Sequence, residues 1–186
     1  MPDIKDLRVA VIATDGVEQT ELLKPVEALR NAGAKAEILS LKAGEIQCFN
    51  HHDKGEKVRA EKAVGDARPE DYGALLLPGG VLNADTLRAD HQVQKFVAAF
   101  DREKKPIAII CHAPWILISA NLVKGRTLTG YHTIEDDIRN AGGHWVDREV
   151  VCDFNWVTSR QPSDILAFNR EMLNTFSELA RKPQAA

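Results

Sequence analysis

The sequence has no apolar run approaching the roughly 20 residues that cross a bilayer, so no membrane span is expected in its 186 residues. It has no basic surplus either. Lys and Arg total 24 against 27 Asp and Glu, a formal net charge of −3. Little is therefore left to neutralise a phosphate backbone, which argues against nucleic acid as a main partner. Cysteines are few. Cys48, Cys111 and Cys152 are widely spaced and odd in number, which excludes a disulfide-built scaffold and fits free thiols in a reducing compartment. Residues 1–6 mix acid and base and lack an apolar signal core, so a cytoplasmic protein is expected. Neither G-x-x-x-x-G-K-[ST] nor G-x-S-x-G occurs, and with them go the phosphate-cradling loop and the serine-hydrolase elbow in their usual forms. No repeat, linker or low-complexity tract divides the chain. A single domain over residues 1–186, with its core at about 7–180, is expected. What is present, 44% hydrophobic and 27% charged residues, suffices for a sizeable core without staples.

The order of elements predicts an α/β fold. Residues 8–14 (RVAVIAT) read as a buried strand ending at Asp15-Gly16. Leu22, Val26, Leu29 and Ala32 follow helical spacing over 18–32, stopped at Gly33. Residues 35–41 form a second strand, so the chain opens as strand–helix–strand, the start of a parallel sheet with covering helices. The polar, glycine-bearing stretch 43–66 reads as a hairpin or an extended excursion, and 69–72 as a short helical turn. Residues 74–77 (ALLL) are another buried strand, running into the Pro78-Gly79-Gly80 loop. A helix over 92–100 follows, capped by Asp90. Residues 106–110 (PIAII) are a fourth strand, 113–122 a helix, 126–129 a further strand and 134–140 a helix closed at 141–143. Strand pieces lie in 145–156. A closing amphipathic helix spans 164–180, with Ser163-Asp164 as its cap and a loose tail over 182–186.

The sharpest local feature is Ile110-Cys111-His112-Ala113-Pro114. An apolar strand ends, a cysteine sits on the corner, and a helix begins with proline in its first turn. Ligands of α/β sheets bind beyond the carboxyl ends of strands, and a helix N-terminus favours a thiolate. The His112 amide points toward the space of a developing oxyanion, and Gly80, ending a neighbouring strand, supplies a second donor. Read locally, Cys111 is equally a small buried hydrophobe. Glu18 and Glu21, three apart after the first strand, share one face of a helical turn on the same rim. Acids are favoured in a first turn in any case, and without Cys111 that is the better account. His112 directly follows Cys111, and consecutive side chains diverge, so a dyad using it would call on a neighbouring subunit.

Other residues have plainer explanations. His51-His52-Asp53 lacks a third ligand at zinc-like spacing and reads as an exposed loop, so no metal is expected. Cys152 reads as a core residue, and Cys48, in the irregular excursion, as a surface one. Trp145 and Trp156 read as packing residues.

Six segments, in order, carry a resemblance. They are Gly16-Val17-Glu18-Gln19-Thr20-Glu21 with Pro25; Leu75-Leu76-Leu77-Pro78-Gly79-Gly80; Ile110-Cys111-His112-Ala113-Pro114; Leu117-Ile118-Ser119-Ala120; Asp136-Asp137-Ile138-Arg139-Asn140-Ala141-Gly142; and Thr158-Ser159-Arg160-Gln161-Pro162-Ser163-Asp164. Over residues 7–176 the chain resembles the ThiJ/PfpI superfamily, in its intracellular protease I-like branch, which has the class I glutamine amidotransferase-like fold. The resemblance implies a flavodoxin-like three-layer α/β sandwich with a mostly parallel central sheet and a cysteine nucleophile elbow. It implies Cys111 as the reactive thiol, His112 as its partner, Glu18 and Glu21 as the acids of which one contacts the thiol, and the Gly80 and His112 amides as an oxyanion hole. Asp85 matches an acid that reaches a neighbouring subunit's histidine, displaced here by one residue. Tyr131 matches a pocket position. Where the family often has Cys-His-Gly-Pro-Gln, this chain has Cys-His-Ala-Pro-Trp, so Ala113 and Trp115 are expected to reshape the pocket rim.

The resemblance implies a stress-related cysteine hydrolase without a cofactor, acting as a peptidase, a deglycase or a cofactor-independent glyoxalase. Its substrate would be a small carbonyl, a glycated adduct or a peptide, and its partner itself, as a homodimer or hexamer. A second reading makes Cys111 a non-catalytic redox stress sensor, or part of a chaperone, through its oxidation. A third, a glutamine amidotransferase, needs a late His-x-Glu pair, and His144-Trp145-Val146 lacks the glutamate.

Overall fold

The computed structural model describes residues 4–180. The tail expected over 182–186 and the first three residues of the N-terminal segment lie outside them. The first part of the chain forms Arg8–Ile12 (β1), Val17–Glu18 (β2), Gln19–Asn31 (α1), Lys35–Ser40 (β3), Gly44–Asn50 (β4), Asp53–Ala60 (β5) and Lys62–Ala63 (β6). The middle forms Ala74–Leu77 (β7), Val81–Arg88 (α2), His91–Arg102 (α3), Ile107–Ile110 (β8) and Pro114–Ser119 (α4). The last part forms Thr127–Leu128 (β9), Glu135–Asn140 (α5), His144–Trp145 (β10), Val150–Asp153 (β11), Trp156–Ser159 (β12) and Ile165–Ala180 (α6).

The central sheet runs β11-β12-β8-β7-β1-β3-β6, and β11 alone pairs antiparallel. Side chains alternate across it, as the pleat requires. Val9, Val11, Leu76, Ala108 and Ile110 face Leu22, Val26 and Leu29 of α1 and Phe168, Met172 and Phe176 of α6. Ala10, Ile12, Leu75, Leu77, Ile107 and Ile109 face Val93, Phe96, Val97 and Phe100 of α3 with Ile116 and Leu117 of α4. Both faces are covered, which is why the strands read as near-continuous apolar runs. The fold is the three-layer α/β sandwich expected, with a mostly parallel sheet. The chain leaves β1 toward β3 on one side and returns to β7 on the other, so the strand order reverses between β1 and β7. That reversal opens a crevice at the carboxyl ends of the strands, where α/β sheets bind ligands.

Several expectations need correction. The stretch after Pro78-Gly79-Gly80 is helical: α2 follows at once, anchored by Asn83 and buried at Ala84 and Leu87. Cys48 is fully buried, because β4 pairs with β2 and turns it into the core beside Ile46 and Ala60. Cys152 is exposed, because it lies on the edge strand β11. The strand near 126–129 joins β10 in a separate two-stranded sheet. Asp90 caps α3 as expected, accepting from the Gln92 and Val93 amides at 2.8 and 3.0 Å. Asp164 ends a 3-10 turn ahead of α6, its carboxylate held by Arg160 at 2.8 and 3.1 Å. No described helix is long and apolar enough to cross a membrane.

Candidate active site

Cys111 occupies the corner between β8 and α4 with φ +64°, in the left-handed region that non-glycine residues seldom enter. Its backbone is pinned on both sides. The Cys111 amide donates to Ser159 O at 3.0 Å, and its carbonyl accepts from the Tyr131 amide at 2.8 Å. The side chain is thereby held over the carboxyl ends of the strands, 6% exposed.

Three segments converge on the sulfur. From the loop after β7, the Gly80 amide donates to it, and so does the amide of His112. From α1, the fully buried Glu21 contacts the thiol and accepts from the Gly79 amide at 3.0 Å. This close meeting demands glycine. A Cβ at Gly79 would strike the Glu21 carboxylate and the Cys111 Cβ, and one at Gly80, where φ is +92°, would strike Gly16 O and Glu18 N. The His112 ring also turns back onto its neighbour, with Nδ1 3.1 Å from the Cys111 sulfur. Its Nε2 lies 3.5 Å from Thr133 Oγ1. The divergence expected of consecutive side chains does not occur. The ring is held between Tyr131, stacked at 4.8 Å, and the edge of Trp115 at 5.2 Å.

The charges follow from burial. Loss of water, reinforced by the charge of Glu18, pushes the Glu21 carboxyl up to about 8, so it carries a proton at neutral pH. Burial, with the positive field of His132, pushes His112 down to about 4, so its ring is neutral, and in the tautomer protonated at Nε2 the Nδ1 accepts. Burial and the Glu21 carboxylate raise the Cys111 thiol, while the Gly80 and His112 amides oppose them. With the proton on Glu21 its repulsion of a thiolate vanishes, and its O–H becomes a donor toward sulfur.

The two acids part company. Glu21 meets the thiol, whereas Glu18 accepts from the His51 amide at 3.0 Å, with the His51 ring 3.9 Å away. Both line a cleft of about 830 Å³ that also contains Gly16, Phe49, His51, His52, Gly80, Val81, Leu82, Cys111, His112, Tyr131, Thr133 and the run 161–163. Asp85 is exposed on α2, outside the cleft wall. Trp115 stands behind His112 rather than in the wall, its Nε1 donating to Asp137 at 2.7 Å, and Ala113 is fully buried, so neither forms the rim. The rim contains instead His51 and His52 at the β4–β5 turn, and Val81 and Leu82 at the start of α2. The sequence signal for the histidines was present, but only the β2–β4 pairing carries that turn to the cleft. Among the described residues, no group of three or more His, Cys, Asp or Glu could hold a metal ion.

The sequence and the fold have close parallels. Residues 7–175 match the model of the DJ-1/PfpI family. The Bacillus subtilis protein named "Putative cysteine protease YraA" is 45% identical over 167 residues, which is 90% of this chain and 96% of that one. The Thermococcus kodakarensis protein named "Deglycase TK1284" is 37% identical over 167 residues, covering 90% and 98%. The crystal structure of Drosophila melanogaster DJ-1beta superposes with a TM-score of 0.84 at 25% identity, over 96% of this chain and 93% of that one. With a family match spanning nearly all the described residues and relatives this similar along their whole length, the chain belongs to the DJ-1/PfpI family.

Proposed function

We propose that the chain is a stress-related, cysteine-dependent hydrolase of the intracellular protease and deglycase type, with Cys111 as the nucleophile on a strained elbow. One observation carries this reading: the Cys111 sulfur lies 3.1 Å from Nδ1 of the His112 imidazole. That contact joins a nucleophile to its base. As the sulfur adds to a substrate carbonyl carbon, its proton passes to His112 Nδ1 and the carbonyl π pair moves to oxygen. The resulting alkoxide accepts hydrogen bonds from the Gly80 and His112 amides. With an amide substrate the C–N bond then breaks, the departing amine takes the proton from His112, and water cleaves the thioester by the same steps reversed. Glu21 keeps its proton and stabilises the sulfur as a donor. No cofactor enters. The names of the relatives support both the peptidase and the deglycase form of this chemistry. Asp85, exposed on α2, is our candidate to reach a histidine of a neighbouring copy in a homodimer or hexamer, and the proposed compartment is the cytoplasm.

Cys111→Ser tests the proposal. Turnover of peptide amides and of methylglyoxal-modified peptides should fall to background, and unchanged turnover would remove the enzyme reading from this site. A second reading has support of its own. A protonated Glu21 and two amides around the sulfur would also hold the oxygens of a cysteine sulfinate, as in a redox stress sensor or a redox-controlled chaperone. Peroxide titration followed by mass spectrometry should then place two added oxygen atoms selectively on Cys111.

A further inference from the structure

The lip of the cleft carries two apolar side chains that the core does not use. Val81 is 50% and Leu82 60% exposed, and both line the same cleft as Cys111. Large exposed hydrophobics are otherwise limited, among the described residues, to Phe154 and Leu166, neither of which lines the cleft. Their position is fixed by the fold. They directly follow Gly80, whose amide points at the sulfur. Gly16 leaves room for them, because a Cβ at that residue would strike the Leu82 Cβ. Phe49, Tyr131 and Pro162 continue the apolar lining.

Charge and size narrow what fits. No Lys or Arg lines the cleft; Glu18 and Glu21 do, together with the imidazoles of His51, His52 and His112, and Glu18 already holds the His51 amide at 3.0 Å. A carboxylate or phosphate on the substrate would find no guanidinium or ammonium partner and would face the Glu18 acid. The cavity of about 830 Å³ is at the scale of pockets that enclose drug-sized ligands, roughly 300–1,000 Å³. A free two- or three-carbon dicarbonyl would leave most of that volume empty.

Resting on the reading of Cys111 as nucleophile, we infer that the preferred substrate is peptide-borne, with an uncharged apolar side chain next to the reactive carbon, and that Val81 and Leu82 form the shelf that binds this side chain. The shelf is a specificity determinant. Burying an apolar group there shifts discrimination between substrates, and a hydrophobic pocket of this kind typically separates them by roughly ten- to two-hundred-fold.

The test uses short peptides in two series, coumarylamides and methylglyoxal-modified lysines, each with Leu, Ser or Asp beside the reactive group. In whichever series is turned over, kcat/KM should favour Leu over Ser by about tenfold or more, with Asp poorest. Val81→Ser and Leu82→Ser keep a Cβ on an exposed helix start, and each should bring the Leu-to-Ser ratio toward unity. The same peptides are titrated into the Cys111→Ser protein by calorimetry, which reads binding without chemistry. Equal kcat/KM for Leu and Ser peptides, or a ratio unmoved by both variants, overturns the shelf while leaving the nucleophile standing. Preferential binding of the Leu peptide without turnover in either series sinks the hydrolase reading and sustains the shelf. No preference in either measurement overturns the shelf outright.

Discussion

His112 Nδ1 lies 3.1 Å from the sulfur of Cys111, the residue immediately before it in the chain. Consecutive side chains meet in this way only when something turns one of them back. Here the positive φ of Cys111 changes the direction of the chain, and two aromatic rings fix the imidazole. Trp115 is itself fixed by its hydrogen bond to Asp137 and by Arg88 lying 5.3 Å from its ring centre. If this clamp places the base, Trp115→Ala should lower kcat by about ten- to a hundredfold, the scale expected for small misplacements of a catalytic group. Trp115→Phe, which keeps a ring edge against His112, should restore much of that loss. The pH profile of Cys111 alkylation should change in the alanine variant and return toward wild type with phenylalanine. A loss of stability alone would leave that profile unmoved.

The buried acid and the buried imidazole impose opposite pH dependences on stability. Glu21 keeps its proton in the folded state from its ordinary 4.5 up to about 8. Its contribution is complete below about pH 4.5 and is lost as pH rises toward 8. His112 stays neutral in the folded state from 6.5 down to about 4. Its contribution is complete above pH 6.5 and is lost as pH falls toward 4. The two slopes oppose each other between pH 4.5 and 6.5, and above that range only the Glu21 slope remains. Wild-type protein should therefore lose stability from pH 6.5 to 8 in denaturant melts, and Glu21→Gln should flatten the curve there. A wild-type curve that is already flat would contradict a protonated Glu21.

Gly79 gives a purely steric prediction. Its φ is unremarkable, yet a methyl group there would run into the Glu21 carboxylate, the Cys111 Cβ at 2.5 Å and the Ile110 carbonyl at 2.9 Å. Two of these neighbours are the acid and the nucleophile, and the third is backbone. Gly79→Ala should destabilise the protein by about 1–3 kcal/mol, as overpacking generally does. It should also displace Glu21 from the thiol and slow Cys111 alkylation. An alanine variant with wild-type stability and alkylation rate would show that the three segments do not pack as described.

The layered core and the cysteine corner were legible in the sequence because each depends on short-range pattern. β1, β7 and β8 are buried on both faces and carry unbroken apolar runs. Asp90 precedes a strongly amphipathic segment, and Cys111 interrupts a strand just before a proline. The parts that were not legible depend on long-range pairing. α2 (VLNADTLR) has a weak apolar stripe and is half made of weak helix formers, Val81, Asn83, Asp85 and Thr86, and it is stabilised by what Asn83, Ala84 and Leu87 bury. Cys48 and Cys152 exchange their expected environments because one strand pairs under α1 and the other forms a sheet edge. His51 and His52 reach the cleft only because β4 pairs with β2. Which of the two acids meets the thiol also depended on three dimensions, since Glu18 ends a strand that turns toward His51 while Glu21 sits inside the helix.

Asn83 is the side chain that turns these separate loops into one site. It is fully buried, and its polar groups bridge three backbone positions. Oδ1 accepts from the Thr14 amide at 2.8 Å, and Nδ2 donates to the carbonyls of Pro78 and Gly79, each at 3.0 Å. The loop after β1 and the loop after β7 are thereby tied to α2, and with them the glycine amide that faces the sulfur. Asn83→Leu, of similar size, would strand the buried Thr14 N–H and the Pro78 carbonyl, each costing about 1–3 kcal/mol, while the Gly79 carbonyl would keep only the Glu18 amide at 3.3 Å. Asn83→Asp would keep the acceptor for Thr14 but set a second oxygen against the two carbonyls. Denaturant unfolding should therefore rank wild type above both variants, with losses of several kcal/mol. Under conditions where the variants remain folded, alkylation of Cys111 should slow while that of the exposed Cys152 is unchanged, because only the first thiol depends on where the Gly80 amide is held. An aspartate variant that matches wild type in both measurements would mean the two loops are held by their backbones alone.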